Sequence, residues 1–457
     1  MSRTIISQGL APMLLLLLTL AFPSVVASQG EPAPQQEETP TVAAPSPSAE
    51  KELPAKEDVT EFTLPPKKRE QAIAYRGARY RLYFFGFIYG IVILLVVLGF
   101  RLGPKFRDWA EQVSQLRFLQ ALVYVPLLLL TLAVLGLPPD IYGQYLSLKY
   151  EQSIQSWPSW FWDWTKGQLI GLVFGIILIS ILYAVIRRSP RRWWFYFWLG
   201  APPTMIFILF INPVVIQPLF FRFTPLEETQ PALVAEIEKV VARGGLEIPP
   251  ERMFEMNASE KFKSINAYVT GFGASKRIVV WDTTIEKTTV PQTLFVFGHE
   301  MGHYVLNHIP KLIAVLAAFL LVFLYFGYRG MHAALRRWGE RWAIRGVDDW
   351  ASLPVLMLFF SLFGFLADPV TNSFTRYLEH EADVYGLEVI HGVVADSPRA
   401  AAEAFQILGE INLADPDPHP FIKYWLYNHP PLNERLVFAR TYDPWSKGEQ
   451  PQFISGP

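Results

Sequence analysis

Residues 294–307 read Leu294-Phe295-Val296-Phe297-Gly298-His299-Glu300-Met301-Gly302-His303-Tyr304-Val305-Leu306-Asn307. Their apolar positions recur at helical spacing, so His299 and His303, four residues apart, project from one face about one turn from each other. Two imidazoles placed in this way are candidate zinc ligands. Glu300, next to the first, sits where it reaches a water on the metal without ligating it, as metal-assisted peptide hydrolysis requires. The competing reading is a pair of hydrogen-bonded histidines on a membrane-proximal helix.

A catalytic zinc with two imidazoles needs a third protein ligand. Cysteine is absent from the chain, so the ligand must be His, Asp or Glu. The segment Thr375 to Leu387 supplies Glu379, His380, Glu381 and Asp383. On a helix Glu379 and Asp383 share a face, while His380 and Glu381 turn away by about 100° or more. Glu379 as ligand, with Asp383 orienting a ligand histidine, uses that face economically. Spacing alone leaves Asp383 and His380 open as the third ligand.

Around these segments the chain is built for lipid. Its 457 residues are 51% hydrophobic and 15% aromatic, richer than ordinary soluble proteins. Only 18% are charged and the formal net charge is -1, which leaves no basic field for nucleic acid. Four apolar stretches of spanning length, Leu82 to Phe100, Phe118 to Leu137, Leu169 to Ile186 and Trp194 to Val215, precede the His299 segment. Two more, Leu312 to Tyr328 and Leu353 to Ala367, follow it. Tryptophans 157, 160, 162 and 164 cluster before the third stretch as an interfacial belt.

The N-terminus carries Arg3, an apolar run from Leu10 to Val26 and a small-residue exit at Ala27, the pattern of a signal peptide or anchor. The following Pro/Glu-rich stretch has few large apolar residues to offset chain entropy and reads as a disordered linker. Between Thr224 and Asn307 the character becomes that of a soluble domain. Leu233, Ile237, Val240 and Val241 mark an amphipathic helix, and the segments Ser264 to Phe272 and Lys276 to Thr283, joined through Gly271 and Gly273, read as a β-hairpin. The expected fold is mainly α: a polytopic membrane protein of about six membrane helices plus the N-terminal segment, with a small β-hairpin or sheet. Its divisions are a signal peptide or anchor (1–28), linker (29–75), four-helix membrane domain (76–222) and metal-site domain (223–457). Membrane helices near 310–329 and 351–370 interrupt the last.

His429-Pro430-Pro431 and Arg435 form another cluster, in which two prolines fix the backbone and two cations can converge on one carbonyl or carboxylate. A surface turn is the alternative reading.

Together His299-Glu300-Met301-Gly302-His303 with His308, Glu379-His380-Glu381-Ala382-Asp383, Asn266-Ala267-Tyr268-Val269-Thr270-Gly271-Phe272-Gly273 and His429-Pro430-Pro431 resemble the type I CAAX prenyl protease family, over about Tyr80 to Tyr442. That family comprises integral membrane zinc peptidases with a zincin-like domain. The resemblance implies one zinc per chain held by His299, His303 and Glu379, Glu300 as catalytic base, and Asp383 behind a ligand. It further implies an edge strand at Asn266 and Ala267 that pairs with extended polypeptide, and substrate contacts from His429 and Arg435. The linker and signal-like start depart from the family pattern and argue against carrying prenylated substrates over.

Basic residues gather in the loops 101–117, 187–192 and 329–345, whereas 138–165 carries only Lys149. By the positive-inside rule those three loops are cytoplasmic, and the metal segments face the periplasm of a bacterial inner membrane. Basic residues 67–81 oppose this. A transporter is disfavoured by the absence of ionisable residues in the first two apolar stretches. A protease with its metal motif inside a span is disfavoured because residues 293–307 precede a span. A zinc-stabilised scaffold is the remaining alternative.

Overall fold

The computed structural model describes residues 59–270 and 277–454. The signal-like segment, most of the linker and the glycines at the hairpin turn lie outside these. Helix α1 (Pro66–Gly99) starts within the stretch read as linker, with prolines 65 and 66 at its N-terminus, where a missing N–H is harmless. Next come α2 (Leu102–Val113), α3 (Arg117–Lys149), α4 (Trp157–Arg188) and α5 (Trp193–Ile211). After the soluble segment follow α6 (Pro231–Arg243), α7 (Val290–Val305), α8 (His308–Trp338), α9 (Leu353–Ile390), α10 (Ser397–Ile411), α11 (Pro420–Leu426) and α12 (Leu432–Thr441).

Six helices among the described residues are long and apolar enough to cross a bilayer, in the positions expected. Five of them extend beyond their apolar windows, because a helix continues in water once begun whereas hydropathy reports only its lipid-crossing part; α5 instead stops at Ile211 and its apolar stretch finishes in a π turn, Asn212–Ile216. On α4, residues Leu169, Val173, Ile177 and Ile181, four apart, are exposed, while Leu178, Leu182 and Ile186 are buried against neighbouring helices. An exposed apolar stripe of that length is a lipid face. Pro126, Pro138 and Pro139 lie inside α3, as membrane helices allow when neighbours satisfy freed carbonyls.

The Arg-rich loops meet at one end of the bundle. Arg107 of α2 reaches Asp349 at 2.6 Å, both buried, and Arg345 binds Glu111 at 2.8 Å. Helix α9 starts beside Asp349 and rises about 1.5 Å per residue, so Glu379 lies about 39 Å along the helix from that end. One 38-residue helix thus carries both a membrane span and the acidic segment around Glu379, which the sequence presents as separate pieces.

At the other end sits a four-stranded mixed sheet, order β1-β2-β4-β3, from β1 (Phe223–Pro225), β2 (Met253–Met256), β3 (Ala267–Thr270) and β4 (Arg277–Trp281). Strands β3 and β4 pair antiparallel, Ala267 opposite Val280, as the hairpin reading expects, and β3 is an edge. The amphipathic helix is α6, with Leu233, Val234, Ile237, Val240 and Val241 buried. They join Phe295, Phe297 and Met301 of α7 and Leu387 of α9 in a core separate from that between the membrane helices.

Candidate active site

Helix α7 is set by a capping box: Thr289 N–H donates to the Gln292 side chain at 3.0 Å and the Thr289 side chain receives the Gln292 N–H, with Pro291 in the first turn. It lies outside the candidate spans and crosses α9 at unusually close range. A Cβ on Gly386 would stand 2.9 Å from the His299 backbone nitrogen, and one on Gly302 would stand 3.1 Å from Ala382 Cα. Glycine at both positions is what lets the two backbones approach.

That crossing brings together side chains far apart in sequence. His299 Nε2 and His303 Nε2 are 3.2 Å apart. Glu379 Oε2 lies 3.2 Å from His299 Nε2 and its Oε1 3.6 Å from His303 Nε2. These three residues are the cluster among the described residues whose ligand atoms all fall within 4.8 Å of one another. The buried Glu379 Oε2 has no properly oriented hydrogen-bond donor, although His429 Nε2 is 2.9 Å away. Facing imidazole nitrogens beside an unsatisfied carboxylate oxygen are a donor set suited to a cation, and two His with one carboxylate fits zinc.

His299 Nδ1 donates to Asp383 Oδ1 at 2.8 Å. Arg435 Nε and Nη2 grip the same carboxylate at 2.8 and 2.6 Å, and both residues are buried. The guanidinium expected at the substrate is therefore bound to Asp383. Pro430 and Pro431 turn the chain into α12, which leaves His429 facing Glu379 and places Arg435 one turn into the helix. His380, open as a ligand from spacing, is exposed and packs edge-on against Phe438, ring centroids 4.6 Å apart.

Glu300 is half-buried beside His299. Burial pushes its carboxyl up to about 7, with the Glu379 carboxylate adding to the effect and His299 opposing it. A base that holds a proton near neutrality can accept and return it. Burial holds His303 down at about 3. For His299 burial also disfavours charge, but Asp383 and Glu379 overcome it and raise the group to about 9.

On the sheet, the Asn266 backbone is occupied: its N–H donates to Thr284 Oγ1 at 2.7 Å and its C=O accepts from Trp281 N–H at 3.1 Å. Backbone groups alternate along a strand, so those of Ala267 point to the open edge. Edge strand β3 packs along α7, the helix of the metal cluster.

The fold and site define a class: a polytopic membrane metallopeptidase with a His-Glu-any-any-His helix and a distant Glu. Family models agree, that for peptidase family M48 matching residues 227–443 and that for the CAAX prenyl protease N-terminal region, five membrane helices, matching 49–222. The uncharacterized metalloprotease YhfN of Bacillus subtilis is 35% identical over 378 residues, covering 82% of this chain and 86% of the relative. CAAX prenyl protease 1 of Saccharomyces cerevisiae is 27% identical over 391 residues, covering 79% and 83%. The crystal structure of S. mikatae Ste24p superposes with a TM-score of 0.71 at 23% identity, over 84% of this chain and 93% of that one. The chain belongs to the type I CAAX prenyl protease family within peptidase family M48 and is an integral membrane metalloendopeptidase. A transporter or purely structural metal protein is not favoured.

Proposed function

We propose that His299, His303 and Glu379 hold a single zinc ion and that Glu300 is the general base for hydrolysis of extended polypeptides at the membrane surface. The observation that carries this reading is the convergence of the three ligand atoms within 4.8 Å, with Glu300 next to them on the same helix. Zinc in that donor set supplies Lewis-acid polarisation of a water and of the scissile carbonyl. Glu300 removes the proton from the attacking water and returns it to the leaving amine. Asp383, clamped by Arg435, keeps the proton of His299 on Nδ1 and leaves Nε2 free to ligate. His429, beside Glu379, donates to the developing oxyanion. Arg435 acts through Asp383 and His299.

Substrate is held as an added strand on β3, with main-chain hydrogen bonds to Ala267. Asn266 fixes that edge through Thr284 and Trp281. The partners are thus a polypeptide and the bilayer; nucleic acid is not among them.

The catalytic face is periplasmic, in a bacterial inner membrane. Supporting this, the Arg-rich loops gather at the end away from the site. The opposing basic stretch in α1 docks on the catalytic domain: Arg76 binds the carbonyls of Asn412 and Leu413, and Lys68 pairs with Glu410 at 3.6 Å. Natural cysteines are absent, so single introduced ones test sidedness. An impermeant maleimide should label Glu238→Cys in intact cells and Arg191→Cys only after lysis; the reverse would overturn the orientation. For the chemistry, purified protein should cleave an unstructured peptide, lose that activity to a zinc chelator and regain it with added zinc. Chelator-resistant cleavage would refute the metal assignment.

A further inference from the structure

One ligand histidine, His299, has its outer nitrogen fixed by Asp383. The other has a less obvious partner. Helix α7 ends at Val305, and Asn307 then adopts a left-handed backbone conformation with φ of 57°. Asn tolerates that region better than most residues with a Cβ. The resulting reversal turns His308, the first residue of membrane helix α8, back onto α7. His308 is buried, and its Nδ1 lies 2.9 Å from His303 Nδ1, the rings meeting edge to face at 5.0 Å.

Two imidazole nitrogens at that distance bond only if one carries a proton and the other a lone pair. A ligand that binds through Nε2 while neutral carries its proton on Nδ1. His303 must then be the donor and His308 Nδ1 the acceptor, which leaves the His308 proton on Nε2. That nitrogen faces Glu381 Oε2 at 3.3 Å, too bent for a good hydrogen bond but close enough for charge attraction. Glu381 is itself held by Lys311 at 3.1 Å and by the Tyr377 hydroxyl at 2.9 Å.

We propose that His308 is the positioning residue for His303: backed by Glu381, it accepts the His303 Nδ1 proton and so fixes the tautomer and ring angle that present Nε2 to the metal. The inference rests on the metal-site reading above and deepens it. It also gives Glu381, which faces away from Glu379, a role in the site. Because His308 opens α8, the metal helix is registered directly to a membrane helix.

The test is zinc affinity of the full-length protein in detergent, by competition with a chromogenic chelator, alongside a melting curve. His308→Leu, which removes the acceptor, should weaken zinc binding about 10–100-fold, the range seen when outer partners of metal ligands are removed. His308→Asn, whose side-chain oxygen falls near the position of Nδ1, should restore most of it. Glu381→Gln should weaken it several-fold. Leucine and asparagine variants that bind zinc equally, both within about twofold of the parent, would overturn the proposal. If the leucine variant does not fold, Glu381→Gln decides: unchanged affinity would overturn it. Failure of the parent protein itself to bind zinc would instead overturn the metal-site reading.

Discussion

The closeness of α7 and α9 makes Gly386→Ala an informative perturbation. The added Cβ would meet the His299 backbone at 2.9 Å from N and 3.1 Å from Cα, where ordinary contacts begin at 3.4 Å. Backbone cannot rotate away, so the helices must separate by about 0.5 Å or His299 must tilt. Overpacking of this size destabilises by about 1–3 kcal/mol. The larger effect falls on chemistry, because His299 and Glu379 lie on opposite sides of the crossing; a misplacement approaching 1 Å can lower turnover roughly 10²-fold. The control is Gly364→Ala on the same helix, where a new Cβ meets nothing within 4 Å. Cleavage of a quenched fluorescent peptide, zinc content and melting temperature should be measured for both. Gly386→Ala with the activity and zinc content of Gly364→Ala would refute the claim that this crossing builds the site.

Other consequences follow from the same geometry. His299 is raised to about 9 by Asp383 and Glu379 against the opposing effect of burial, so it is protonated at neutral pH in the metal-free protein. A ligating imidazole must be neutral, so zinc displaces that proton and affinity rises with pH up to about 9. Calorimetry in buffers of different ionisation enthalpy should report about one proton released per zinc at pH 7; no release would contradict the assignment. Ala267→Pro removes an outward N–H without touching the ladder to β4, so it should raise KM for long peptides while zinc content holds. An unchanged KM would remove substrate from that edge. Replacing Arg107 by Ala strands the buried Asp349 carboxylate and should lower stability by about 3–5 kcal/mol, read as a lower melting temperature. No change in melting would mean the pair does not hold the Arg-rich end together.

Much of this was legible from local pattern. The His299 helix and the amphipathic α6 follow from periodicity, and the six spans from the length of their apolar runs, each within a short window. The proposed third ligand is harder to read, because Glu379 meets His303 only through a helix crossing, and spacing leaves Asp383 and His380 in play. Family resemblance chose Glu379, whose carboxylate lies within reach of both imidazoles. Arg435 shows what that route leaves out: the resemblance implies a substrate contact, whereas its ion pair with Asp383 becomes visible only through packing. The signals for close approach were present in Gly298, Gly302 and Gly386. They become readable only once it is known which helix lies opposite. His308 was visible as part of a motif, but its partner depends on the left-handed Asn307, which sequence spacing does not encode.

The central claim is that Glu300 moves the proton and the three neighbouring side chains hold the metal. Glu300→Gln, nearly identical in shape, separates these roles. Purified from membranes, the variant should contain one zinc per chain and melt like the parent, while peptide cleavage falls to background. A variant that retained zinc and still cleaved at the parent rate would contradict the account.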